Sequence, residues 1–479
     1  MISRRLLFRY LVRHLVRLPF VLLPLVLVAC ATGPAYQRPD MALPAGYKEA
    51  PAGWQPAAPS TVDGTAWWKG FGDSQLDALV DQVEVSNQNV AAAVANYAQA
   101  RALVRVQRAS YFPTLGVSGG VTRTGRDGGV SNSVQVALGT SWEPDVWGRI
   151  SNDVSAASAT AQATEADLAS ARLAAQGELA TNYFSLRASD AELALLRTTV
   201  EGYERSQQIA QNRYDQGIAT KSDVLQAQTQ LANTRADLLT LENQRAQLEH
   251  AIALLVGKAP ADFSVPPTAE WKPTALDVPL LLPSTLLERR PDIAASERDV
   301  AAANAQIGIE RSAYFPSLSL SGSYGRSSSG VSNLFNAPNA LWSLGVSVTQ
   351  ALFDGGAIAA RVDSAKASRD SAVARYRQTV LAAFQSIEDQ LSTTRTLAAQ
   401  ETLRREASTA ADDVERQVLN RYRSGQVSYT DVVTAQVSAL SARRALLQLL
   451  ASRQTTSVAL IQALGGGWQA SEMTQAEKR

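Results

Sequence analysis

Few residues in this 479-residue chain carry groups suited to covalent or metal chemistry. Cysteine occurs once, at Cys30, and histidine twice, at His14 and His250. A lone thiol excludes a disulfide within the chain and any Cys/His zinc set. No glycine-rich phosphate loop is present. The carboxylates are scattered among Lys and Arg on helical text, the pattern of a solvated face. No nucleophile stands near a base, so the chain reads as a non-enzyme that needs no cofactor and no metal. Two spacings do engage the backbone, Thr220-x-x-Asp223 and Ser428-x-x-Asp431. In each, a hydroxyl and a carboxylate three residues on can satisfy free N–H groups at a helix start, and the carboxylate also suits the helix dipole.

The thiol of Cys30 has a context of its own. Arg4, Arg5, Arg9, Arg13 and Arg17 precede the apolar run LPFVLLPLVLVA at 18–29. That run is too short to span a bilayer and reads, with its basic flank, as a secretory signal covering 1–29. His14 leaves with it. Leu27-Val28-Ala29-Cys30 resembles a bacterial lipobox, whose Cys becomes the lipidated first residue of the mature chain. Ala31 follows, not an Asp, and by that sorting rule the resemblance implies the outer membrane. A single acyl anchor holds a membrane weakly, so a second embedding element is expected. Residues 30–66, rich in Pro, Gly and Ala, read as a lipid-anchored extended segment. A formal net charge of +1 argues against a nucleic-acid partner.

The chain repeats itself. Tyr111-Phe112-Pro113 pairs with Tyr314-Phe315-Pro316, and NRYDQGIATKSDVLQAQ at 212–228 pairs with NRYRSGQVSYTDVVTAQ at 420–436. The halves are 67–282 and 283–468, the first ending in the Pro-rich joint APADFSVPPTAEWKP at 259–273; residues 469–479 form a tail. Proline is missing from 145 to 259 and from 339 to the end, which permits very long helices. The spacing predicts helices over 148–216, 220–256, 355–424 and 429–464, and one over 74–110. Val224, Ala227, Leu231, Thr234, Leu238, Leu241, Arg245, Leu248, Ile252 and Leu255 step by threes and fours, a coiled-coil seam. Arg245 breaks it, and Arg453 breaks the second seam at the matching place. The Arg289-Arg290-Pro291-Asp292 run reads as the start of a helix.

After each Tyr-Phe-Pro the period becomes two. Alternation predicts strands at 113–124, 131–142, 316–327 and 341–352, with loops at 125–130 and 328–340. One side is apolar (Leu115, Val117, Val121, Leu318, Leu320, Leu344, Val346) and the other small and polar. An ordinary half-wet sheet fits this text. So does a membrane barrel, apolar side out, with Tyr111, Phe112, Trp142, Trp147, Tyr314, Phe315 and Phe353 girdling one rim and Tyr324, Phe335 and Trp342 the other. The strand length and the small polar inner set favour the barrel. Four strands cannot close one, since the minimum is about eight, and an open edge in lipid leaves backbone groups unsatisfied. Spanning strands therefore demand several copies.

The run LLERRPDIAASERDVAAANAQIGIERSAYFPSLSLSG at 286–322 resembles the signature of TolC-like outer membrane factors, as do WWKGFGDSQLDALV at 67–80, WEPDVWGR at 142–149 and LFDGG at 352–356. The lipobox and GPAYQRP at 33–39 resemble the lipoprotein branch serving resistance-nodulation-division efflux systems. The resemblance implies an α+β membrane protein: a homotrimer with a 12-stranded β-barrel, four strands per chain, continued by a periplasmic α-helical coiled-coil barrel. It implies the exit duct of a tripartite pump for small molecules such as drugs, with a periplasmic adaptor and an inner-membrane transporter as partners.

It also implies roles for the turns at 214–223 and 422–431, as periplasmic gate and adaptor-docking tip. Asp431 matches an acidic gate position. Thr434 stands where some members carry a second acid, and Val427 where some carry an arginine. Tyr422 matches a gate tyrosine and Asp223 its hydrogen-bond partner. Gly217, Ile218, Gly425 and Gln426 match docking positions. Asp223 and Asp431 keep their helix-capping reading beside the gate one. The rival functions are a duct for type I protein secretion and a surface lipoprotein of coiled-coil type without a pore.

Overall fold

The computed structural model describes residues 33–50, 66–126, 128–268, 270–273, 276, 278, 283–335 and 340–470. The signal segment, Cys30, most of 51–66 and the end of the tail from 471 lie outside the described residues. The chain divides into two compact units: Met1–Asp40, Asn96–Glu165 and Ala295–Arg377 form one, and Met41–Ala95, Ala166–Ala294 and Gln378–Arg479 form the other. Each unit takes segments from both halves of the sequence.

In the first unit a four-stranded antiparallel sheet runs in the order β1 (Thr114–Arg126), β2 (Gly129–Trp142), β3 (Ser317–Ser328), β4 (Ala340–Thr349). The tyrosine-phenylalanine-proline text makes the same turn twice: Phe112 N–H donates to Ala109 O and Phe315 N–H to Ser312 O, each at 3.0 Å, and a strand begins beyond the proline. Directly paired residues share a face of a sheet. The register therefore lines up Val117, Leu138, Tyr324 and Trp342 across all four strands, with Trp142, Leu320 and Val346 in a second apolar row. The opposite face carries Gly116, Gly139, Ser323 and Ser343 in one row and Thr114, Ser141, Ser321 and Gly345 in another. Hydroxyls pair across strands there: Ser319 with Ser347 and Ser323 with Ser343, each at 2.8 Å, and Thr114 with Ser141 at 2.9 Å. The apolar face is uncovered, with Leu344 83 % and Val117 75 % exposed. The expected loop at 125–130 is shorter than its composition suggests. The strands reach Arg126 and resume at Gly129, and Gly128, at φ +86°, supplies the left-handed position such a hairpin needs.

At the foot of the sheet the Trp147 and Phe315 rings stack at 4.8 Å, and Trp147 Nε1 donates to Pro316 O at 2.7 Å. Asp145 accepts from the N–H groups of Ile150 and Ser151, starting the next long helix. Asp354 repeats this with Ile358 and Gly356. Those two donors hold the Asp354 carboxyl below the usual carboxylate range.

The helices are α1 (Ser74–Ser86), α2 (Gln88–Ala109), α3 (Arg149–Asp215), α4 (Lys221–Leu255), α5 (Pro291–Ser312), α6 (Ala357–Arg423) and α7 (Tyr429–Ala463). α3 and α6 each have 67 residues, roughly 100 Å at ~1.5 Å per residue, and α4 and α7 each have 35. The single helix expected over 74–110 is two. Asn87 ends α1, accepts from Asn89 and Val90 N–H to begin α2, and reaches Leu255 O with its amide at 2.9 Å. α5 does begin at Pro291, where Arg290 bonds both Asp292 oxygens and Ala463 O.

The second unit has its own core. The α4 seam buries Val224, Ala227, Leu231, Thr234, Leu241, Ile252 and Leu255. The sequence pattern of uniformly solvated charge fails beside it. Asp190 and Arg187 side chains are 1 % and 4 % exposed, and Arg245 pairs with Asp190 at 2.7 Å. Tyr183 donates to Asp73 at 2.6 Å and accepts from Arg187, and burial together with that bond to Asp73 pushes its phenol up. Arg245 and Arg187 also donate to Val265 O and Pro266 O, and the N–H groups of Val265 and Thr268 bond Glu249 and Asp190. The exception in the heptad text is thus the clamp that fastens the Pro-rich joint to the helix pair. Arg453, its counterpart, pairs with Glu401 and is 28 % exposed.

Candidate functional site

The two turns that join α3 to α4 and α6 to α7 are built alike. In the first, Gly217 N–H donates to Tyr214 O and Ile218 N–H to Arg213 O, both at 2.8 Å. In the second, Gly425 N–H donates to Tyr422 O and Gln426 N–H to Arg421 O, both at 2.9 Å. This paired pattern closes a helix when the residue after its end is left-handed. Gly217 at φ +72° and Gly425 at φ +75° fill that place, where a Cβ would be strained. Ile218 follows with 60 % of its surface exposed, and Gln426 is exposed as well. A bare glycine beside an exposed side chain thus marks the apex of each turn.

The next helix starts at once. Ser428 and Asp431 form a reciprocal box: Asp431 N–H donates to Ser428 Oγ at 3.4 Å, and Ser428 N–H donates to Asp431 Oδ2 at 3.0 Å. In the first turn Thr220 Oγ1 accepts from Asp223 N–H at 3.3 Å and donates to Asp223 Oδ1 at 2.8 Å. Both acids are therefore engaged in starting their helices. Asp431 and Thr434 are exposed on one face of α7, and the Thr434 hydroxyl bonds back to Thr430 O.

Between the turns lies a cluster of Ala210, Val224, Ala227, Tyr422, Tyr429 and Val432. The Tyr422 and Tyr429 rings meet edge to face at 5.2 Å. Burial pushes the Tyr422 phenol up, and the Asp223 charge adds to the shift. The expected Tyr422–Asp223 hydrogen bond is not made. The Tyr422 hydroxyl has no hydrogen-bond partner of good geometry, because Asp223 is turned to Thr220 and the Arg213 guanidinium lies over the Tyr422 ring at 4.9 Å. Arg213 also donates to Arg423 O at 3.1 Å, so it links one turn to the other. Arg213 and Tyr429 were not singled out from the sequence. The signal for Arg213 was there, in the Asn-Arg-Tyr text written at both 212–214 and 420–422. Higher up, Arg444 bonds Glu192 at 2.5 Å and Gln436 bonds Ser206 at 3.2 Å, tying α7 to α3. Cys30 lies outside the described residues.

No arrangement of a nucleophile with a base is found among these groups. What the described residues offer is a sheet with one apolar and one hydroxyl-lined face, long seamed helices, and a paired turn. Residues 79–258 and 282–466 match the model of the outer membrane efflux protein family. The chain is 34 % identical to the outer membrane protein OprJ of Pseudomonas aeruginosa over 94 % of its own length and 95 % of that protein's. It is 29 % identical to the cation efflux system protein CusC of Escherichia coli, over 94 % and 98 % of the two lengths. Among solved structures, the open state of the MtrE outer membrane channel of Neisseria gonorrhoeae superimposes with a TM-score of 0.82 at 27 % identity, over 92 % of this chain and 99 % of that one. With both halves of the sequence matched and nearly its whole length shared, the chain belongs to the outer membrane efflux protein family.

Proposed function

We propose that this outer membrane efflux protein works as a trimeric duct, the exit stage of a tripartite pump for small molecules such as drugs. The observation that carries the reading is the sheet. Its edges, β1 and β4, have no partner strand among the described residues, and its exposed rows are apolar on one side and hydroxyl on the other. In lipid an unpaired edge costs several kcal/mol per backbone group, so copies must join edge to edge. Three copies of four strands give a 12-stranded wall, with the hydroxyl face lining a wet lumen and the apolar face against lipid. The tandem halves then give six helical hairpins in three copies. Acylation of Cys30 adds a lipid anchor in the outer membrane.

In this reading the paired turns are the periplasmic tip. Asp223, Tyr422, Asp431 and Thr434 line the constriction, and Gly217, Ile218, Gly425 and Gln426 meet the adaptor. The inner-membrane transporter, of the resistance-nodulation-division class, supplies energy and selects the cargo. CusC belongs to a cation system by its name, so one duct architecture accompanies different cargo. Planar-bilayer recording with the purified full chain tests the pore. Stepwise current above the bare bilayer is expected; a protein that inserts and passes no current would overturn the proposal.

A further inference from the structure

The two turns are related by a shift of 208 residues, which pairs Arg213 with Arg421, Tyr214 with Tyr422, Asp215 with Arg423, Lys221 with Tyr429 and Gln226 with Thr434. Contacts made from one turn to the other use only one side of each pair. Arg213 lies over the Tyr422 ring and donates to Arg423 O. Thr430 Oγ1 donates to Gln226 Oε1 at 3.3 Å. The counterparts of these groups are all present and differently placed. Arg421 is exposed, and among the described residues its side chain has no hydrogen bond, ion pair or ring contact. Tyr214 keeps 39 % of its surface exposed. One side of its ring is taken by Lys221 at 5.2 Å, as Tyr429 takes one side of Tyr422. Ser222, the counterpart of Thr430, is exposed too, as is Thr434.

A ring in which first and second turns alternate has two kinds of junction, first-to-second and second-to-first. The chain itself supplies the former. We propose that Arg421 makes the latter between copies: its guanidinium stacks on Tyr214 of the partner subunit and bonds the carbonyl that ends the partner's α3. The chemistry favours it. A helix C-terminus attracts a cation, and an aromatic face does so as well. The residue at that terminus is Asp215, an acid, where the junction within the chain has Arg423, so the link between copies gains a charge attraction that the internal one lacks. Val427 leaves no cation at its own position; Arg421 and Arg423 are the exposed cations of this turn, and Arg421 is the one that matches Arg213. The tip of this duct is then closed by a ring of six arginine contacts, three within copies and three between them. The inference rests on the three-copy reading above.

The test joins Arg421→Cys to Tyr214→Cys in the full-length protein and treats membranes with a short bis-maleimide, with each single variant as control. Most of the doubly substituted protein is expected at two- and three-copy size on a denaturing gel, and the single variants at one-copy size. If an amine-reactive cross-linker traps three copies while the cysteine pair stays at one-copy size, the Arg421 contact is wrong and the trimer stands. If the amine-reactive reagent traps no oligomer, both readings fall. A second readout is independent of cysteine. Arg421→Glu should raise the bilayer conductance at least twofold by repelling Asp215, and adding Asp215→Arg should restore the parental value. An unrestored conductance in the doubly charge-swapped protein would also overturn the pairing.

Discussion

The sheet and the helical unit treat apolar surface in opposite ways. In the helical unit Leu179, Leu196 and Ile252 are fully buried, and even the charges of Arg187 and Asp190 are enclosed and paired. In the sheet Val117, Trp342, Leu344 and Val346 stand open at 70 % exposure or more, with a hydroxyl ladder behind them. One region is finished by its own chain. The other leaves an apolar face and two sheet edges open, which the proposed duct assigns to lipid and to further copies. In the proposed duct this exposure marks a lipid solvent and not a defect of packing, since contiguous exposed apolar surface is rare on a protein meant for water.

The strongest way to break that comparison is to charge the open face. Val117→Arg should cost about 2–4 kcal/mol in each copy if it lies near the bilayer midplane, and the cost recurs in every copy of a closed wall. Loss of the protein from the outer membrane fraction is expected. Normal assembly would mean that the face meets water. The next effect belongs to the enclosed region. Asp190→Asn leaves Arg187 buried without its acid and Arg245 with Glu249 alone, and removing one partner of a buried pair costs about 3–5 kcal/mol. Thermal unfolding should drop accordingly, while Arg453→Met, at the more exposed counterpart, should cost far less. Equal losses would contradict the difference in burial.

The paired turns sharpen the contrast, since exposed apices at Ile218 and Gln426 sit beside the buried Tyr422 cluster. Gly425→Leu forces a side chain into a left-handed position at a cost of about 1–2 kcal/mol. Membrane abundance should persist while drug resistance in cells is lost through failed docking. Resistance that survives the change would remove the docking role. Smaller still, Asp431→Ala should cost up to about 1 kcal/mol, as the lost N3 half of the capping box and a lost first-turn acid. Asp223→Ala, at the less complete box, should cost less. A rise in conductance for either variant beyond that of a Ser428→Ala control would add gating to its capping duty.

Legibility in the sequence followed the range of the interactions. The helix-to-strand switch at Pro113 and Pro316 was readable, because proline and a change of period act within a few residues. The alternating faces were readable for the same reason. Arg245 stood out as a break in its heptads, but its partner Asp190 is 55 residues away, so only the anomaly was visible and not the clamp. Asn87 looked like any polar residue on a helix. Its break depends on Leu255 O, 168 residues distant. The turn residues were legible as turns and caps from Gly217, Gly425 and the Ser/Thr-x-x-Asp spacing. Asp223 then spent its carboxylate on Thr220, which no spacing could reveal, and Arg213 took the place beside Tyr422.

The most direct test of the central claim, that the sheet is one part of a wall completed by copies of itself in lipid, is the native mass of the full-length protein extracted from membranes. Three copies per particle are expected. A particle of one copy would contradict the account, because the four strands described in one chain cannot enclose a pore.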